Sequence, residues 1–82
     1  MDPADVRQLI QDQFPNATVQ VMSDDNTHFE ALVVAAEFQG KTLLARHQMV
    51  YKSLGSRVGN EIHALSIIAM TPEEWQERSA TD

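Results

Sequence analysis

Glu61-Ile62-His63-Ala64-Leu65-Ser66-Ile67-Ile68-Ala69-Met70-Thr71-Pro72-Glu73-Glu74-Trp75 changes character partway along. Ten residues, Glu61 to Met70, read as a strand, because Ile62 to Met70 is almost continuously apolar. Thr71 is then a good N-cap, Pro72 suits the first helical position, and Glu74 completes a capping box three residues after Thr71. Trp75 falls in the first helical turn, placed to pack back on a sheet. Side chains alternate along a strand, so His63 shares a face with Leu65, Ile67 and Ala69. Two readings of His63 stand side by side: a half-covered structural histidine at a strand end, or a metal ligand at the sheet's rim.

Upstream lies a helical pattern with Leu43, His47, Val50, Tyr51, Leu54 and Val58 on one face. Gly55 weakens it and is expected to end the regular helix early; Gly59-Asn60 stops it. Phe38-Gln39-Gly40-Lys41 is read as the turn before it. Further back, Ala17 to Ser23 and Thr27 to Glu37 read as two strands joined by Asp24-Asp25-Asn26, an antiparallel hairpin. Phe29, Ala31, Val33 and Ala35 share one face; His28, Glu30, Leu32 and Val34 share the other. Asp2-Pro3 opens a first helix with Val6, Leu9, Ile10 and Phe14 as its apolar stripe, ended by Pro15-Asn16.

The order is α-β-β-α-β-α. A crossover through the second helix makes strands two and three parallel, which gives an α+β domain with a three-stranded mixed sheet covered by helices on one face. Phe29, Val33, Leu65 and Ile67 are expected beneath Val6, Ile10, His47, Val50 and Leu54. Met22, Leu32, Val34, Ile68 and Met70 are left for the open face, a candidate contact surface.

The 82 residues make one domain, 1–82, with residues 79–82 expected to fray. A chain of this size buries only about 60% of its unfolded surface, so its core is small. It has no cysteine, so it holds neither a disulfide nor a thiolate metal site of its own. No apolar run reaches the length of a membrane helix, and Met1-Asp2-Pro3-Ala4-Asp5 lacks the layout of a signal peptide; a cytoplasmic setting without membrane contact is expected. The net charge of −6 opposes general nucleic-acid binding. Yet Lys41, Arg46, Lys52 and Arg57 lie in a stretch without any acid, Phe38 to Asn60. They are either a solvated helix face or a surface for an anionic partner, and are expected to be mostly exposed.

No nucleophile elbow, phosphate-cradling glycine loop or other catalytic constellation is present, so no enzyme is expected. His47 reads as a helix–sheet contact. His28 opens the second strand and points to the open face. No two histidines have the spacing of a self-contained metal site, so a bound metal needs ligands from a partner.

Thr27-His28-Phe29, Phe38-Gln39-Gly40-Lys41, Arg46-His47-Gln48-Met49-Val50-Tyr51, Ile62-His63-Ala64-Leu65-Ser66-Ile67 and Thr71-Pro72-Glu73-Glu74-Trp75 follow one another at a spacing that resembles the BolA-like proteins, most of all their short bacterial branch. The resemblance covers most of the chain. It implies a fold like the type II KH domain without its Gly-x-x-Gly loop. It also implies a monothiol glutaredoxin of the Cys-Gly-Phe-Ser type as partner. A [2Fe–2S] cluster is then shared between the two proteins, with thiolates from glutaredoxin and glutathione and an imidazole from His63. The protein alone is expected to carry no cofactor, as a monomer or weak homodimer. Many family members add a histidine or cysteine from the hairpin loop; here Ser23-Asp24-Asp25-Asn26-Thr27 has neither. The adjacent His28, an aspartate or water are the candidates for that second ligand, although the motif does not assign His28 the role. Two other readings remain: a DNA-binding transcriptional regulator with a helix-turn-helix-like element, contacting DNA through the basic segment, and a protein-interaction module without metal.

Overall fold

The computed structural model describes residues 1–59, 62 and 64–81, the last three by backbone alone. Helix α1 spans Pro3–Gln13, strands β1 and β2 span Thr18–Met22 and His28–Val34, helix α2 spans Leu43–Leu54, strand β3 spans Ala64–Met70, and helix α3 spans Pro72–Thr81. Helical backbone therefore extends into the segment expected to fray. Short 3₁₀ turns, Ala36–Phe38 and Gly55–Arg57, flank α2.

The sheet has the order β1-β2-β3. The hairpin is antiparallel, with Val19 opposite Val33 and Val21 opposite Ala31. β3 runs parallel to β2, with Phe29 opposite Leu65 and Val33 opposite Ala69. Val6 and Ile10 from α1, Phe14 at its C-cap, and Val50 and Leu54 from α2 join Phe29, Ala31 and Val33 in a single buried cluster. Leu65 and Ile67 pack against that cluster half-buried, so the expected inner face of the sheet holds. α1 begins with a capping box, in which Asp2 accepts from the Asp5 amide at 3.1 Å and Asp5 from the Asp2 amide at 3.2 Å. At its far end Gln11 Nε2 donates to the carbonyls of Phe14 and Ala17, both at 2.9 Å, tying the helix exit to the start of β1.

Four expectations need correction. The second strand ends at Val34, not Glu37. Ala35 still donates to the Met70 carbonyl at 2.9 Å, and the 3₁₀ turn then folds Phe38 into the core, where its ring meets Phe14 at 5.5 Å between centroids. Phe38 is thus a core residue at a place read only as a turn.

Among the described residues the third strand spans Ala64–Met70, and Ile62, expected within it, lies outside it. Ile62 forms an isolated bridge with Val58, because its amide donates to the Arg57 carbonyl and its carbonyl accepts from Gly59. Glu61 and His63 lie outside the described residues.

The inward face of α2 is Arg46, Val50 and Leu54. Leu43 is 65% exposed, Tyr51 is also exposed, and His47 is half-buried. On the open face, Met22 (64%) and Ile68 (46%) are exposed as expected, but Val34 is only 6% exposed. It ends the central strand, flanked by Thr18 and Met70, where the chain turns into α3.

α2 ends where expected. Gly55 caps it with φ 60° and ψ −136°, a backbone conformation that side chains disfavour.

Candidate functional site

The hairpin turn is built by two side chains. Ser23 Oγ accepts from the Asn26 amide at 2.9 Å and donates to the His28 carbonyl at 2.6 Å. Asp25 Oδ1 accepts from the amides of Thr27 and His28, each at 2.9 Å. Short polar side chains replace backbone partners in this way at turns, and Asn26 takes the left-handed conformation, φ 57°, that asparagine tolerates. The second Asp25 oxygen, Oδ2, lies 2.8 Å from His28 Nδ1. The His28 amide, then the His28 ring, then the Thr27 amide hold the Asp25 carboxyl well below the usual carboxylate range. Asp25 is therefore an ionised acceptor against His28.

His28 sits at the sheet's rim. Its Cα partner is Ala64, the first residue of β3, and the Ala64 amide reaches the Thr27 carbonyl at 3.4 Å. An open cleft of about 510 Å³ lies here, walled by Ser23, Asp24, Asp25 and His28 on the hairpin side and by Ala64 and Ser66 on β3. The register thus brings the hairpin turn to the start of the third strand. His63, the residue before Ala64, lies outside the described residues, and so does its expected position on the inner face. Among the described residues no three histidine, aspartate or glutamate side chains converge on a point where they could hold a metal ion. His47 stays apart from His28, on α2 beside a second groove lined by Leu43, Ile67 and Met70.

The basic segment divides. Lys41 and Lys52 are exposed, as expected, and Arg57 is half-buried, donating to the Leu54 carbonyl at 3.4 Å. Arg46 overturns the expectation of exposure at 8%. Its guanidinium donates from Nε to the Lys41 carbonyl at 3.0 Å and from Nη1 to the Ala69 carbonyl at 3.1 Å. It also forks onto Glu74, with Nη1–Oε1 at 2.7 Å and Nη2–Oε2 at 3.3 Å, and lies 5.9 Å from the centroid of Phe38. Burial of a charge requires such full pairing, and Arg46 ties the start of α2, β3 and the start of α3 together. Glu74 also completes the expected capping box, accepting from the Thr71 amide at 2.8 Å while Thr71 Oγ1 accepts from the Glu74 amide at 3.2 Å. The Arg46 fork first, and the Thr71 amide second, lower its carboxyl to about 2.

Among the polar residues paired here, Asp25 and Arg46 are the two whose roles the sequence reading missed. Asp25 carried a usable signal, a carboxylate three residues before a histidine across a turn. Arg46 carried none locally, because its main partner is 28 residues away.

No helix among the described residues is long and apolar enough to cross a membrane. A family model described as BolA-like protein matches residues 6–74. The chain is 36% identical over 80 residues to an uncharacterised protein from the rpoN-murA intergenic region of Acinetobacter guillouiae, covering 96% of this chain and 95% of that one. It is 43% identical over 56 residues to human BolA-like protein 1 and 36% identical over 55 residues to the DNA-binding transcriptional regulator BolA of Haemophilus influenzae. These matches cover 68% and 67% of this chain but only 41% and 53% of those relatives, so the chain spans about half of their length or less. The solved structure of a bolA protein homologue from Coxiella burnetii superposes with a TM-score of 0.75 at 38% identity, covering 93% of this chain and 97% of that one.

Proposed function

The chain belongs to the BolA-like family, and from that membership we propose that it partners a monothiol glutaredoxin of the Cys-Gly-Phe-Ser type and shares a [2Fe–2S] cluster with it. In this reading the protein is a binding partner in cytoplasmic iron–sulfur trafficking or iron sensing, not a catalyst. The donor set fits that division of labour. With no cysteine, the chain can offer imidazole but no thiolate, so the glutaredoxin cysteine and the glutathione thiol must complete the cluster. Imidazole in place of thiolate raises the potential of such a centre. His63 is the proposed ligand from this chain, by its place in the family motif, and His28 the second candidate.

The observation that carries the reading is the rim cleft, where the His28 imidazole stands beside the first residue of β3, one position after His63. The test is anaerobic reconstitution of the purified pair with iron, sulfide and glutathione. Visible absorption, circular dichroism and iron and sulfide analysis follow on the isolated complex. A heteromeric complex with one [2Fe–2S] cluster is expected. His63→Ala is expected to abolish or alter its spectrum while leaving the melt of the chain alone nearly unchanged. Failure of the wild-type pair to form a complex or a cluster would overturn the reading.

A second reading, DNA binding, draws on the name of the Haemophilus relative. The net charge of −6 weighs against it, and so does the loss of Arg46 to internal pairing. A mobility shift that weakens steeply with salt would favour it.

A further inference from the structure

The rim cleft holds one pair whose chemistry the family motif does not assign. His28 Nδ1 faces Asp25 Oδ2 at 2.8 Å, while Asp25 Oδ1 is occupied by two backbone amides. An ionised carboxylate only accepts hydrogen bonds. A neutral imidazole against it must therefore carry its proton on Nδ1, and its lone pair is then on Nε2. A carboxylate behind an imidazole is also the usual outer support of a metal-bound histidine, fixing both tautomer and ring orientation.

We propose that Asp25 is a positioning residue that holds His28 in the Nδ1–H tautomer and so presents Nε2 to the rim cleft as this chain's hairpin-side ligand for a soft-metal centre shared with a thiolate-bearing partner. The ligand role rests on the reading given under Proposed function; the pairing itself is a property of this chain alone. Geometry supplies the argument. The carboxylate is held by the turn it builds, so its second oxygen is aimed before any metal arrives. His28 lines the cleft, and its backbone is fixed by pairing with Ala64.

Asp25→Asn separates the turn from the tautomer. Its side-chain carbonyl can still accept from the Thr27 and His28 amides, but its NH₂ group donates where Oδ2 accepted. That change favours the opposite tautomer, with the proton on Nε2 and no lone pair there for a metal.

The experiment has two arms. In the first, ¹⁵N-labelled chain alone is examined by two-dimensional NMR of the imidazole nitrogens at a pH where the ring is neutral. The wild type is expected to show a protonated Nδ1 and a bare Nε2, and Asp25→Asn the exchange of those two signals with its amide spectrum otherwise retained. In the second, wild type, Asp25→Asn and His28→Ala are reconstituted with the glutaredoxin and glutathione. Asp25→Asn is expected to shift the cluster's circular dichroism in the same direction as His28→Ala. A wild-type ring protonated on Nε2 overturns the proposal. Exchanged tautomers with an unchanged cluster spectrum overturn the ligand role and leave the glutaredoxin reading intact. Absence of a cluster with the wild type overturns that reading and the ligand role together.

Discussion

Arg46 shows what one buried charge demands. Its three nitrogens are spent on two carbonyls and one carboxylate, from three different parts of the chain. Replacing it with lysine keeps the charge but loses the planar fork, so Arg46→Lys is not conservative here. Both Arg46→Lys and Arg46→Ala should lower the melting temperature, alanine by more. Glu74 gives the pair a pH dependence. Its folded value, about 2, lies below its ordinary 4.5. The stability it contributes is therefore complete above about pH 4.5 and drains away as the pH falls toward 2. Thermal melts across that range should fall less steeply in Glu74→Gln than in the wild type. Asp25 contributes in the same acid range with the same sign, so the double variant with Asp25→Asn should be flatter still.

At the scale of elements, Phe38 closes the corner between β2 and α2. Phe38→Ala should cost about 3–5 kcal/mol, the usual range for a buried phenylalanine, read as a lower urea midpoint with unchanged slope. Thr71→Ala should cost about 1 kcal/mol by removing the cap of α3. The helix starts were legible because caps are local: Asp2-Pro3 and Thr71-Pro72-Glu73-Glu74 carry their instructions within four residues. The strand faces were legible because alternation is local too. The face of α2 was not. Leu43 and Tyr51 fit an apolar stripe as well as Val50 and Leu54 do, and the helix turns Arg46 inward only because Glu74, Ala69 and Lys41 receive it. Phe38 escaped notice because its neighbours, Gln39 and Gly40, spell a turn whichever way the ring points. Within the site, His28 was legible by type, and Asp25 became visible only once the turn placed its two oxygens.

For the molecule as a whole, the open sheet face is the part least bound to the fold. Met22→Glu and Ile68→Glu should each change stability by no more than about 0.5 kcal/mol, as substitutions at exposed positions generally do. Equal melts together with weaker glutaredoxin binding would mark that face as the place where the partner sits. The parallel pairing of β2 with β3 reaches further, into the order in which the chain matures. Synthesis delivers the hairpin and His28 before β3, while the central strand still lacks one of its two neighbours. Ile62 and Ala69, both core residues, arrive last. A nascent chain ending at Gly59 should therefore be unfolded by circular dichroism, because non-local parallel pairing repays its loop-closure cost only when the last strand docks. In such a chain the rim cleft would have only its hairpin wall, because Ala64 and Ser66, which form the other, belong to the strand still to come.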